Sequence, residues 1–166
     1  IKKEFSIKNI GVSVYNKDEI NKILDSKLKP DIIQLPLNIL DTRLYHCGKL
    51  LEIANENIKI HARSVFLQGL FYLSEFDIKN RFPDVIPSFQ KLKSLSAKLG
   101  LTISELSLLW VASLIEVEKV IIGIDSQKHL QAHMESLMKN INTNIFDEAL
   151  NIQYQNELVL NPSLWK

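Results

Sequence analysis

At 46% hydrophobic and 23% charged over 166 residues, the chain can bury a substantial core, which excludes a disordered segment and a simple coiled coil. A net charge of +1 with pI near 8.0 supplies no field to steer nucleic acid or acidic lipid, so neither is expected as a partner. No apolar run approaches the roughly 20 residues of a membrane helix, and no basic stretch leads into a signal-peptide core. Cys47 stands alone, so no internal disulfide can form; this suits a reducing compartment, and the expected location is cytoplasmic. We read Cys47 itself as a small buried apolar residue.

The sequence opens on Ile1 and enters a strand almost at once, reading as the back half of something larger. Asn9 to Tyr15, rich in β-branched residues, is the first expected strand. Asn16 precedes a helix over Lys17 to Lys27 with Ile20, Ile23 and Leu24 on one face, which Pro30 stops. Asp31 to Leu35 is the second strand, closed by Pro36. Asp41 or Thr42 can cap a helix from Arg43 to about Asn55, with Leu44, Leu50, Leu51 and Ala54 as its apolar positions. Ile58 to Ala62 is the third strand.

A long insertion follows, from Arg63 to Pro87, with a short helix expected over Ser74 to Asn80. Beyond Pro87, Phe89, Leu92, Leu95 and Leu99 form one helical stripe that Gly100 ends. Thr102-Ile-Ser-Glu105 is a capping box opening a helix to about Leu114. Lys119 to Ile124 is the fourth strand. Ser126 caps a helix to about Lys139, and a last helix is expected from Phe146 to Glu157.

Strands alternating with helices imply parallel pairing and right-handed crossovers. A doubly wound open sheet would be favoured by a glycine-rich turn after the first strand, but Gly11 lies inside that strand and no G-x-G-x-x-G occurs. A (β/α)8 barrel takes about 250 residues; four βα units in 166 residues amount to half of one. The expected fold is therefore α/β, the C-terminal half of a TIM-type barrel, as a single partial domain over residues 1–166.

Gly11-Val-Ser-Val-Tyr15, Gln34-Leu-Pro-Leu-Asn38, Ala62-Arg-Ser-Val-Phe-Leu-Gln-Gly-Leu-Phe71, Trp110 and Ile122-Gly-Ile-Asp-Ser126 stand in the order and spacing of the aldo-keto reductases. They resemble the last four strands of that family's barrel, and the Pro162-Ser-Leu-Trp165 tail is similar to the end of several bacterial members. The resemblance implies NAD(P)H-dependent reduction of an aldehyde or ketone, with hydride passing from nicotinamide to a small carbonyl substrate at the barrel's C-terminal mouth. Ser13 and Gln34 match positions that hydrogen-bond the nicotinamide carboxamide, which needs one acceptor and one donor at adjacent strand ends. An asparagine often follows that serine in the family; here it is Val14.

Arg63 falls where many members stack a tyrosine under the nicotinamide; an arginine plane can stack too, though its charge alters the ring. Ser64, Val65, Phe66, Leu67 and Gln68 match the loop that crosses the pyrophosphate, whose backbone N–H groups suit an anion. Gly123, Ile124, Asp125 and Ser126 match the segment around the adenosine ribose, and Ser126 opens a helix whose dipole favours negative charge. NADP-preferring members place a basic residue near Asp125, so the cofactor can be NADP or NAD. His133 matches an asparagine that touches adenine, with Ala132 in place of a common glutamate.

The resemblance also exposes an absence. The family's catalytic Asp, Tyr, Lys and His belong to the first half of its barrel, and no segment here resembles their surroundings. Without a proton donor, cofactor positioning alone gives little turnover, so residues 1–166 are expected to be inactive by themselves. Plainer readings stand beside each assignment: Ser13 and Gln34 as satisfied interior polars, Gly69 and Gly123 as turn residues, Arg63 as an ion-pair partner, His61 as a packed core histidine, and Trp110 as core. His129 and His133 share a helix face, but no third ligand accompanies them and no metal is expected. Two classes of role remain: the cofactor-side half of a reductase, or a non-catalytic nucleotide-binding or scaffold half-barrel. The partner in either case is a missing N-terminal half-barrel or a second copy, because four parallel strands leave two unpaired edges.

Overall fold

Segments of three to five residues carrying β-branched Val and Ile, each followed by a helix, become four parallel strands: β1 (Gly11–Ser13), β2 (Ile32–Pro36), β3 (Lys59–Arg63) and β4 (Val117–Val120). They pair in sequence order, β1-β2-β3-β4, all in parallel. The computed structural model describes residues 4–139, 141 and 144–165; Ile1, on which the sequence opens, lies outside them.

The helices follow the strands. α1 (Lys17–Leu24) starts at Asn16, whose side chain accepts from the backbone N–H groups of Asp18 and Glu19. The helix expected over Arg43 to Asn55 is two, α2 (Arg43–His46) and α3 (Lys49–Asn55). The break falls at Gly48, whose φ of +74° suits a glycine. After β3 come a 3-10 segment (Leu67–Tyr72), α4 (Glu75–Arg81) and a 3-10 turn (Pro83–Val85). α5 (Ile86–Lys98) and α6 (Ile103–Ser113) follow, then α7 (Gln127–Leu137), α8 (Ile145–Leu150) and α9 (Glu157–Leu160). The single last helix expected from Phe146 to Glu157 is thus two short ones. The stretch between them is held outside a helix by Tyr154 and Asn156, which both donate to Asp84 at 2.6 Å.

Alternation along the strands divides the sheet into two unlike faces. Ile33, Leu35, Ile60 and Ala62 are fully buried under the helices. α5 contributes Phe89, Leu92 and Leu95 to this side; α6, apolar nearly all round, adds Leu106, Trp110 and Val111. The capping box holds as expected, with Thr102 accepting from the Glu105 backbone and Glu105 accepting from the Thr102 N–H.

On the opposite face, register places Ser13, Gln34, His61 and Lys119 in one row. β4 begins two residues earlier than the sequence suggests and ends at Val120, because a register irregularity beside Ile60 and His61 shifts its pairing. Three burial expectations are corrected. Cys47 is exposed, because the α2–α3 break turns it outward. His61 is not a core histidine: it sits on the open face with Nε2 3.3 Å from Glu118, which Lys59 also holds at 2.6 Å. Leu51, expected on the apolar side of α3, is likewise exposed.

Candidate functional site at the carboxyl rim of the sheet

Parallel strands end together, so the residues just past β1, β2 and β3 share one rim, the place where α/β folds hold ligands. Ser13 and Gln34 are direct register partners at that rim, with Ser13 exposed and Gln34 half-buried. Arg63 ends β3 opposite Pro36. Its side chain reaches across β2: one terminal nitrogen donates to the Val14 carbonyl at 3.2 Å and the other to Ser64 Oγ at 3.3 Å. The guanidinium carbon lies 4.3 Å from the centre of the Tyr15 ring. Among the described residues Arg63 forms no ion pair, so the alternative of a structural salt bridge is not what the side chain does.

The loop after β3 has an unusual backbone. Ser64, Leu67 and Gln68 take positive φ of 57°, 45° and 50°, and Gly69 follows at 86°. Non-glycine residues there cost about 1–3 kcal/mol each and persist only where surroundings enforce them. Three contacts do so. Asn38, fully buried, donates to the Ser64 carbonyl at 3.2 Å while its own oxygen accepts from the Leu40 and Asp41 N–H groups. Ser107, fully buried on α6, donates to the Val65 carbonyl at 2.7 Å and accepts from the Ile39 N–H. Leu37 N–H donates to the Arg63 carbonyl at 3.0 Å.

Neither Asn38 nor Ser107 was singled out from the sequence as supporting this loop. The signal was present: an asparagine inside Leu35-Pro-Leu-Asn-Ile-Leu40 and a serine inside an otherwise apolar helix both need buried partners. Val65, Phe66 and Leu67 point inward and are buried; Gln68 is exposed.

The second half of the expected site lies past β4. Gly123, Ile124, Asp125 and Ser126 are all exposed, and a Cβ added at Gly123 would meet nothing within 4 Å. Ser126 is the N-cap of α7, accepting from the His129 N–H at 3.2 Å. Asp125 is open to solvent, 3.9 Å from the His129 ring. The loop and α7 are brought together by two stacked pairs: Phe66 on His133 at 4.7 Å and 17°, and Tyr72 on His129 at 6.2 Å and 8°. Burial, with His129 nearby, holds the His133 imidazole below its ordinary pKa, favouring the neutral ring. Thus the structure joins Phe66 and Tyr72 with His133 and His129, while Arg63 reaches toward the Ser13 and Gln34 end of the rim.

Against the dinucleotide expected from the sequence, the rim offers the Ser13 hydroxyl and the Gln34 amide side by side, and a left-handed loop of the kind that can turn N–H groups toward an anion.

Among the described residues no three His, Cys, Asp or Glu side chains could together hold a metal ion, and no single helix is long and apolar enough to cross a membrane.

No curated protein matches the chain. Among solved structures, the chain is similar to a thermostable aldo-keto reductase, Tm1743, in complex with the inhibitor epalrestat, at a TM-score of 0.67 and 19% identity. That match covers 91% of this chain and 50% of the other, so the chain spans half the length of the solved protein it resembles. At that identity the likeness establishes a fold, a partial (β/α)8 barrel. The family model of the aldo/keto reductases matches residues 1–150. On that match the chain belongs to the aldo/keto reductase family.

Proposed function

We propose that the chain is the cofactor-binding, C-terminal half of an NAD(P)H-dependent aldo-keto reductase, acting on a small aldehyde or ketone. The observation that carries this reading is the polar rim, where Ser13 and Gln34 stand as register partners beside a strained loop fixed by Asn38 and Ser107. In this reading Ser13 and Gln34 hold the nicotinamide carboxamide, Ser64 to Gln68 lie along the pyrophosphate, and Gly123 to Ser126 with His133 border the adenosine. Bound there, the dinucleotide supplies the hydride. The chain's own residues orient it and set which ring face meets the carbonyl.

Asp125, exposed and without a lysine or arginine partner among the described residues, would repel a 2′-phosphate and accept a 2′-hydroxyl. NAD is therefore compatible with the site, and NADP requires another basic group. The proton donor for the developing alkoxide would have to come from outside residues 1–166, so this stretch alone is expected to bind but not turn over. We place the protein in the cytoplasm on its single cysteine.

A scaffold reading is favoured by one observation of its own. The outer strand and the region past β4 carry exposed apolar side chains, Ile10 and Val12 at one edge and Ile121 and Ile124 at the other. A barrel half built this way would be completed by an N-terminal half or by a second copy. Fluorescence titration with NADH and NADPH tests the first reading: saturation with either supports it, and none with both leaves only the scaffold.

A further inference from the structure

We propose that Arg63, held over the Tyr15 ring, is a carboxylate-recognising residue at the substrate end of the rim, so that the favoured substrates are carbonyl compounds bearing a carboxylate. The inference rests on the reductase reading and deepens it.

Four features lead there. Arg63 is half-buried, and a part-desolvated cation calls for a counter-anion. Among the described residues its contacts are the Val14 carbonyl, the Ser64 hydroxyl and the Tyr15 ring, with no carboxylate. The Glu19 carboxylate, four residues beyond Tyr15, accepts from the Tyr15 backbone N–H at 2.6 Å. A guanidinium carries five N–H donors in a fixed fork, and the two protein oxygens use only part of it.

Geometry decides which anion. The side chain spans β2 and ends over Val14 and Tyr15, one residue from Ser13. It lies at the end expected for nicotinamide and carbonyl substrate, away from Gly123 to Ser126. The Tyr15 ring centre already lies 4.3 Å from the guanidinium carbon, and the fork's N–H edge is the part suited to an anion. A planar carboxylate matches that edge with two parallel hydrogen bonds.

The test uses the native-length protein with pyruvate, its neutral counterpart acetone, and inorganic pyrophosphate. NMR of the Arg63 Nε–H in the wild-type protein should show a saturable shift with pyruvate and none with acetone. Calorimetry should find pyruvate affinity lower in Arg63→Gln by at least about tenfold, which is about 1.4 kcal/mol. Arg63→Lys, which keeps the charge but loses the fork, should fall between; if Arg63→Gln does not fold, this variant and the wild-type resonance decide.

The proposal is overturned if pyruvate leaves the resonance unmoved or if Arg63→Gln binds pyruvate like wild type. It is also overturned if pyrophosphate alone moves the resonance and the variant loses only dinucleotide affinity, which would give Arg63 to the cofactor. Failure of the reductase reading shows separately, as absent saturation by NADH and NADPH in the wild type, since the pyruvate arm needs no cofactor.

Discussion

The two faces of one four-stranded sheet differ as sharply as a core and a surface. On β3, Ile60 and Ala62 are fully buried while their neighbours Lys59, His61 and Arg63 are exposed or half-exposed. A closed (β/α)8 barrel fills its interior with layers of bulky branched side chains. Here the face turned from the helices carries Ser13, Gln34, His61 and Arg63, together with a Lys59–Glu118–His61 cluster. The lesson is a division of labour along each strand: one side chain in two holds the fold, and the next is available for ligand chemistry.

That division can be broken from the helix side first. Trp110, 1% exposed and edge-on to Tyr45 at 5.7 Å, is expected to cost about 3–5 kcal/mol when replaced by alanine. Urea denaturation measures it; a loss below about 1 kcal/mol would mean the covered face is not the core. Next come the buried polar supports of the rim. Ser107→Ala leaves the Val65 carbonyl and the Ile39 N–H unmatched and should cost about 1–3 kcal/mol. It should also weaken dinucleotide binding, because the 64–68 loop relaxes. A stability loss with unchanged NADH or NADPH affinity would separate the loop from the site.

Tyr154 offers a smaller effect. Burial first, and the Asp84 carboxylate beside it, push its phenol well above the usual range, keeping it a neutral donor. Tyr154→Phe removes that bond and should cost about 1–2 kcal/mol by thermal or chemical denaturation, with dinucleotide affinity unaltered.

Glu105 sharpens the comparison through pH. Burial acts to raise its pKa, but the Lys139 ammonium and the Thr102 N–H and hydroxyl outweigh it and hold the carboxyl down at about 2. A folded pKa below the unfolded value of 4.5 gives stability that is present above that pH and lost as pH falls toward about 2. Glu105→Gln should flatten this acid limb; an unchanged limb would deny the capping box its electrostatic role. Smallest of all, Lys59→Ala on the open face should leave the denaturation midpoint within error, since exposed ion pairs contribute little.

Much of this was legible in the sequence. The periodicities of Phe89, Leu92 and Leu95, the capping box at Thr102 and the Ser126 cap are local signals, and each sits where its residues suggest. The failures have non-local causes. Gly48 splits one amphipathic stretch into α2 and α3 because the turn needs a left-handed residue. The helix expected across Tyr154 gives way to a bond with Asp84, 70 residues earlier in the chain. The start of β4 is set by register with β3, invisible in Lys119 to Ile124 alone.

At the site, the rim residues could be named from their order, but Arg63 resting on Tyr15 could not, since it joins strands across β2. The Asn38 and Ser107 contacts were equally hidden, each spanning tens of residues to reach the 64–68 loop.

The most direct test of the whole account is hydrogen exchange by mass spectrometry of the native-length protein, with and without saturating NADH or NADPH. Protection should concentrate in peptides covering Ser13, Gln34, residues 63–68 and 123–126, with the peptides of α5 and α6 unchanged. Protection confined to the helices, or none at the rim despite measured binding, would contradict the assignment of that rim to the dinucleotide.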